Sequence, residues 1–587
     1  YVDKIVEPIS MGRIKIPTMR GGTGYTFDSF WIENARVKTL YRANEQALET
    51  AEGLATVASL RSHYAYPVAA LYNAWILMML NMDRNSLWGS AGGMVFESNV
   101  SWDVEDRMNW VGAESGKVQQ ESLGALLPAG DGVGLYNSLN WQRDDPVMLE
   151  LPSGSGLEGV LCQSLPHGKT LCGVSLPSVS ISSLALSKSS SEPSREISPP
   201  ASIDTRDYTA RIDWNTGALV SLKLKPTGQE MLGGPANVIV AEQPKTQQGD
   251  PGDFMLPRPG RTRLASSSDF KPAKITVTTG PLATTVEIQN QFFGDHPSRR
   301  VMRFYHHHPR IDFETELEDV PNLTVVVAEF PLANEIREIR RGIPNGFSQG
   351  AWANANPDLH GWTKGIVPAV RWIDFTLANA GGVALFDRGL SGRELNGRTP
   401  IIYLLNCTDK YYGYPNSWLS GAGGHHLEYA LFAHESSWQK ARVPHLAREY
   451  NAPVAFRSGR QPAQPQSFVR TSENLILQAL RREDRHIEMR FVECLGSPGE
   501  AEVSIELPHR SAALTNLRGQ NSQPLHGGPS YQFHVRAQQI VTLRFETSAA
   551  VDAVSPVTEW DPFVPVAKRA ALHHYGNYKG HPPRGDE

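Results

Sequence analysis

ARIDWNTGALVSLKL, residues 210–224, decides the fold class. Apolar and polar residues alternate on both sides of Asn215-Thr216-Gly217, a turn sequence whose glycine tolerates the left-handed backbone of a tight reversal. The stretch is expected to be a β-hairpin. The same alternation returns in VMLELP at 147–152, KITVTTGPLATTVEIQNQF at 274–292, IDFETELEDV at 311–320 and AEVSIELP at 501–508. Strands from about residue 130 onward, with no helical period between them, predict packed antiparallel sheets in sandwich form.

Upstream the period changes. Val37, Leu40, Tyr41, Ala47, Leu48, Ala51, Leu54, Ala55 and Ala58 recur at three-four spacing between Asp28 and Ala58, which predicts a long helix. Pro67 suits the first turn of a second helix, with Val68, Leu71, Tyr72, Trp75, Met78 and Met79 on one face. Phe96, Val100, Val104, Met108 and Val111 mark a third. Short connections make an antiparallel three-helix bundle the expectation, with the Met and Trp stripe read as core packing in preference to a ligand groove. The fold class is therefore multidomain α+β: a three-helix bundle followed by a large antiparallel β-sandwich (supersandwich) region.

Composition narrows the function. The chain has 587 residues, enough for several domains, and 51 Gly and 41 Pro fit a turn-rich β protein. A formal charge of −5 without a long basic block offers no phosphate-neutralising surface, so nucleic acid is not an expected partner. The longest apolar run, Trp75 to Leu80, is far short of the roughly 20 residues that cross a bilayer, so no membrane is expected. Self-association and the compartment are left open. Four cysteines do not form a disulfide framework. Cys162 and Cys172 could pair across a local hairpin, but a reduced, buried pair is the favoured reading, and Cys407 and Cys494 fall in strand-like apolar segments. The sequence begins at Tyr1 without Met, and a truncated or processed N-terminus is expected. Two segments read as linkers or loops: the Ser/Pro-rich Ser178–Ser202, and Gln243–Ser268.

LNMDRNSLWGSAGG, residues 80–93, closes the second helix and resembles the metal-site turn of glycoside hydrolase family 38, the zinc-dependent α-mannosidases, which reads roughly N-x-x-H-D-[AS]-[IL]-x-G-[ST]. Other segments are similar to that family in the same order. They include RGGTGYTFDSFWIENARVKTLYRANEQALETAE at 20–52, GLYNSLNWQRDDPVMLELP at 134–152, RIDWNTGALVSLK at 211–223, FYHHHPRIDFETELE at 304–318, RWIDFTLANAGGVALFDRGLSG at 371–392 and GGHHLEYALFAHESSWQKARVPHLAREYNAPV at 423–454. The resemblance covers the C-terminal two-thirds of such an enzyme. It implies residues 1–27 as the end of a catalytic α/β domain, 28–125 as the three-helix bundle and 126–200 as a small β domain with a Ser/Pro-rich linker. Residues 201–550 would then be a large, mutarotase-like β-sandwich and 551–587 a tail.

What the resemblance implies chemically is retaining hydrolysis of α-mannosides by two carboxylates, with zinc gripping sugar hydroxyls. In that family the nucleophile, the acid/base and three zinc ligands lie on a barrel before the bundle, so they are expected upstream of Tyr1 and no catalytic residue is assigned here. Arg84 stands at the fourth zinc ligand, a His in the family, and Asn85 at a substrate-contacting Asp. A guanidinium supplies no neutral nitrogen donor, so zinc, expected for the family, is not expected at Arg84. Arg84, Asn85 and Trp88 are the expected substrate contacts. Arg84 would act there as a fixed cation for sugar hydroxyls, or else fold back onto the bundle and pair with Glu97 or Glu105. The partner is then an α-mannoside-type glycan. The alternative is a noncatalytic carbohydrate-binding or assembly homologue that has lost the zinc site.

Further candidates have plainer readings beside them. His306-His307-His308 on a strand would place only His306 and His308 on one face, without an acidic or Cys partner at a recognised spacing. His425 and His426 read as structural hydrogen-bonding groups. Trp352, Asn354, His360 and Trp362 in NGFSQGAWANANPDLHGWTKG suit a carbohydrate-facing rim but also an ordinary long loop. Asp409, Tyr411, Tyr412 and Tyr414 form a second aromatic patch, with edge packing as its plain reading.

Overall fold

The computed structural model describes residues 4, 7–15, 31–32, 34–82, 104–188, 191–244, 261–293, 296–321, 324–350, 366–378, 381–407, 410–411, 414–415 and 423–552. After a single helical turn at Glu7–Ser10 come three helices: α1 (Ala35–Arg61), α2 (Val68–Asn81) and α3 (Val104–Leu126). Leu48, Ala51 and Ala55 of α1, Leu71, Ala74 and Leu77 of α2, and Met108, Val111 and Val118 of α3 close one core. Tyr72 and Met79, expected on the buried face of α2, are exposed instead. The helix is apolar nearly all round, so its period does not single out one face. The expected helix start at Asp28 and the markers Phe96 and Val100 lie outside the described residues.

The rest of the described chain is largely β, as its alternation predicts. A ten-stranded antiparallel sheet runs in the order Gly346–Gly350, Ile336–Ile343, Trp372–Leu377, Gly382–Asp387, Gly424–His434, Arg310–Glu318, His296–Tyr305, Ala283–Phe293, Lys274–Thr279, Arg195–Ile197. A six-stranded sheet that includes Val238–Pro244, Thr324–Glu329 and Thr399–Cys407 shares its core, around Phe304, Phe313, Phe330 and Phe375. The opening hairpin is present: Tyr208–Asp213 pairs with Ala218–Leu224 across a turn whose Gly217 has φ +72°. Within the expected 201–550 region a second core lies between a five-stranded sheet, Leu475–Glu483 to Ile540–Glu546, and a three-stranded one. Phe468, Phe491 and Phe545 fill it, and Leu54 and Val57 of α1 and Leu123 of α3 pack into the same core.

Four expectations are corrected. Ser178–Ser202 is no linker: Ser180–Ser187 is a strand inserted between Ala129–Asn137 and Ala463–Ser467, with Ser180, Ser182 and Ser183 buried. Serine is small enough for the inside of a tight sheet, and Ser180 Oγ donates to Pro177 O at 2.7 Å. The second loop is shorter than expected, since Arg261–Ser266 pairs with Val238–Pro244. Cys162 and Cys172 are joined by a disulfide, because antiparallel pairing of their strands sets them directly opposite each other. Cys407 and Cys494 are buried and take no part in that disulfide. Finally, the β region contains a helix, α4 (Val443–Asn451), with Pro444 in its first turn.

A buried polar lock joins these units. Arg143 binds Asp145 through Nε at 2.7 Å and Nη2 at 2.8 Å, and donates to Ala452 O just past α4. Arg310 of the ten-stranded sheet binds Asp312 and comes within 3.9 Å of Asp145. Burial alone would raise the Asp145 carboxyl, but Arg143 and Arg310 outweigh it and hold it below the usual carboxylate range. Trp141 Nε1 donates to Glu449 of α4 at 2.7 Å, closing the lock from the other side.

Candidate functional site

The end of α2 points to where the expected substrate contacts begin. Asn81 is fully buried, and Arg107 of α3 donates to its Oδ1 at 3.1 Å, which ties the helix terminus to its neighbour. Met79, Leu80 and Met82 around it are exposed. Arg84, Asn85 and Trp88 follow directly and lie outside the described residues, as does Glu97. Glu105 is engaged by Arg36 Nε at 2.9 Å. Among the described residues no group of three or more His, Cys, Asp or Glu could hold a metal ion, so no zinc set is assigned.

Beside α2 lies a cleft of about 670 Å³, between α1, α2 and the strands Leu475–Glu483 and His486–Glu493. One wall is apolar and aromatic: Tyr66, Tyr72, Trp75, Ile76 and Met79. The other is charged. Glu45, Glu49 and Glu52 stand at i, i+4 and i+7 on α1, one face of that helix, opposite Arg371, Arg481 and Arg490. Arg42 grips both oxygens of Glu45 at 3.0 and 2.8 Å, Arg371 reaches Glu45 at 3.0 Å, and Arg448 of α4 binds Glu49. Arg481 and Arg490 meet at the buried Glu488, at 2.8 and 2.9 Å.

The three carboxylates are driven apart in acidity. Burial would raise Glu45, but Arg42 and Arg371 outweigh it and hold it below its ordinary value. At Glu49 burial prevails over Arg448 and Arg371, and the carboxyl is raised. Burial pushes Glu52 up to about 7, with Arg481 and a hydrogen bond from Trp75 opposing. Near neutral pH the wall therefore presents an ionised acceptor at Glu45 and a carboxyl poised between acceptor and donor at Glu52. Arg371 is held at φ +69°, a backbone conformation non-glycine residues rarely adopt, and points from the sandwich into the cleft. None of these carboxylates stood out in the sequence. The available signal was GLATVAS, residues 53–59, small or apolar on every side, which marks a helix enclosed all round and so buries acids that a free helix would solvate.

The other candidates fall apart spatially. His306 and His308 lie in the turn between His296–Tyr305 and Arg310–Glu318 and not on a strand, so they share no face. The His306 ring lies 3.0 Å from Thr284 Oγ1 and 3.2 Å from Pro281 O, while His308 accepts from the Arg310 N–H. His425 and His426 open Gly424–His434 on opposite faces: His425 is buried, and His426 faces Glu316 at 3.4 Å. Tyr411 and Tyr414 sit on the two short paired strands Lys410–Tyr411 and Tyr414–Pro415. Asp409, Tyr412, Trp352, Asn354, His360 and Trp362 lie outside the described residues.

Residues 203–399 match the family model for the glycosyl hydrolases family 38 C-terminal domain, and residues 474–543 that for the family 38 C-terminal beta sandwich domain. The chain is family 38 α-mannosidase-like. The two matches of this family 38-like chain fall on the two sandwich cores described above. It is 24% identical over 515 residues to alpha-mannosidase 2C1 of Mus musculus, covering 84% of this chain and 47% of that protein. For alpha-mannosidase 2C1 of Homo sapiens the identity is 24% over 514 residues, covering 83% and 46%. The chain thus spans about half the length of the curated relatives it matches. An alpha-mannosidase from Enterococcus faecalis V583 shares the fold with a TM-score of 0.74 at 14% identity, over 92% of this chain and 72% of that one. A glycosyl hydrolase family 38 protein from Enterococcus faecalis gives 0.73 at 13%, over 93% and 74%.

Proposed function

We propose that this chain is the helical and β part of an α-mannosidase-like glycoside hydrolase that acts on α-mannoside-type glycans. The observation that carries the reading is the pair of family 38 C-terminal matches, on residues 203–399 and 474–543, downstream of a helix followed by a sequence that resembles the metal-site turn of that family. We read α1 to α3 as the bundle of residues 28–125, followed by a small β domain at 126–200, the large β region at 201–550 and a tail at 551–587. Residues 1–27 are the end of the catalytic α/β domain. Arg84, Asn85 and Trp88 would contact the glycan. The nucleophile and acid/base of a retaining mechanism would come from outside this chain. Arg84, a permanent cation, fits no zinc set, and in its place it would hold hydroxyls as a fixed charge.

A second reading, a noncatalytic glycan-binding or assembly homologue, is favoured by that same Arg84 at a position that needs a neutral nitrogen. Assay of the protein at full length with an aryl α-mannoside separates the two: hydrolysis is expected, and a preparation that cleaves no aryl α-glycoside overturns the hydrolase reading. In parallel, this polypeptide is expected to keep no stoichiometric zinc through dialysis. Tightly held zinc at one ion per chain would overturn the assignment of Arg84.

A further inference from the structure

The cleft between α1, α2 and the C-terminal sheets has a form that ion pairing alone does not explain. Salt bridges from α1 to Arg371 and Arg448 would fix the helix on the sandwich without any aromatic wall. Yet Tyr72, 36% exposed, and Met79 stand open on α2 opposite the charges. The volume, about 670 Å³, lies within the roughly 300–1,000 Å³ of small-ligand sites. One buried donor of the polar wall also lacks an acceptor. Arg482, 7% exposed and lining the cleft, has no partner for Nε among the described residues. Buried donors without acceptors are costly, and a hydroxyl-rich ligand would relieve that cost.

An apolar aromatic face opposite planar carboxylates and guanidiniums matches the two sides of a sugar ring, one of C–H bonds and one of hydroxyls. We propose that this cleft is a saccharide-binding subsite taking one sugar residue, its C–H face on Tyr72 and Trp75 and its hydroxyls on Glu52, Arg371 and Arg481. It rests on the glycan reading only for the ligand class. A subsite here would hold a glycan to the protein through groups built by four separate parts of the chain: α1, α2, the start of Trp372–Leu377 in the ten-stranded sheet, and the C-terminal sandwich.

The test is calorimetric titration of this polypeptide with α-linked mannobiose, and with gluco- and galacto-configured disaccharides. Tyr72→Ala and Glu52→Gln are compared with wild type, and urea midpoints check that each variant is folded. Tyr72 is a surface aromatic, so its truncation leaves the core intact. Binding is expected in the wild type, weakened about tenfold or more by each cleft variant, as at aromatic hot spots. Binding that survives both cleft variants but is lost in Arg84→Ala overturns the cleft while leaving the glycan reading intact. Binding of gluco- or galacto-saccharides alone, lost in the cleft variants, supports the cleft and tells against mannosides as its ligand. No binding of any saccharide overturns the proposal, whatever the hydrolysis assay of the full-length protein gives.

Discussion

On a free helix Glu52 would be a solvated carboxylate; here it is 5% exposed, hydrogen-bonded to Trp75 and under the charge of Arg481. Its raised value fixes the sign of its effect on stability. Between the ordinary value of 4.5 and about 7 the folded state holds a proton that the unfolded state has released. Stability from this group is therefore full below 4.5 and declines as pH rises toward about 7, by at most roughly 3 kcal/mol. Glu52→Gln removes that decline. Urea midpoints across this pH range should show wild type losing ground to the variant as pH rises, and parallel curves would contradict the burial argument. Asp145 and Asp312 work in the opposite sense, since their lowered values give stability that is lost as pH falls through the acid range.

At the scale of elements, α1 is decisive because it serves two cores at once. Leu48, Ala51 and Ala55 face α2 and α3, whereas Leu54 and Val57 enter the C-terminal sandwich. Leu54→Ala should cost about 2–5 kcal/mol, the range for a buried leucine whose cavity does not collapse. Because the helix spans both cores, far-ultraviolet circular dichroism of helices and near-ultraviolet signals of the sandwich should shift together in urea. Separate transitions would show that the helices are not anchored through Leu54. α4 is the element that residue patterns missed. Its buried side chains include His445, Arg448 and Glu449, which read as surface residues until Glu49 and Trp141, some 300 to 400 positions away in sequence, are brought to them.

Across the whole molecule, the lock around Asp145 joins the small β unit, the ten-stranded sheet and the segment after α4. Asp145→Ala leaves Arg143 buried without its carboxylate and strips Arg310 of a second one, a loss of about 3–5 kcal/mol for a broken buried pair. Calorimetric melting should show the deficit in the β units, and a change under 1 kcal/mol, the level of a surface pair, would show that water reaches the lock.

Sequence by itself determined the order of helices then strands, the hairpin at Gly217 and the family resemblance, because alternation, three-four spacing and turn glycines are local and survive without knowledge of partners. Tertiary structure decided the rest. It turned serines 180, 182 and 183 into the inside of a sheet, joined Cys162 to Cys172 by strand register, and chose which side of the all-apolar α2 to bury. It also gathered Glu45, Glu49 and Glu52 against arginines from residues 371, 448 and 481. A charged residue shows no local sign of burial. The energy that permits it comes from partners distant in sequence and from the removal of water between them, and both exist only once the chain is folded.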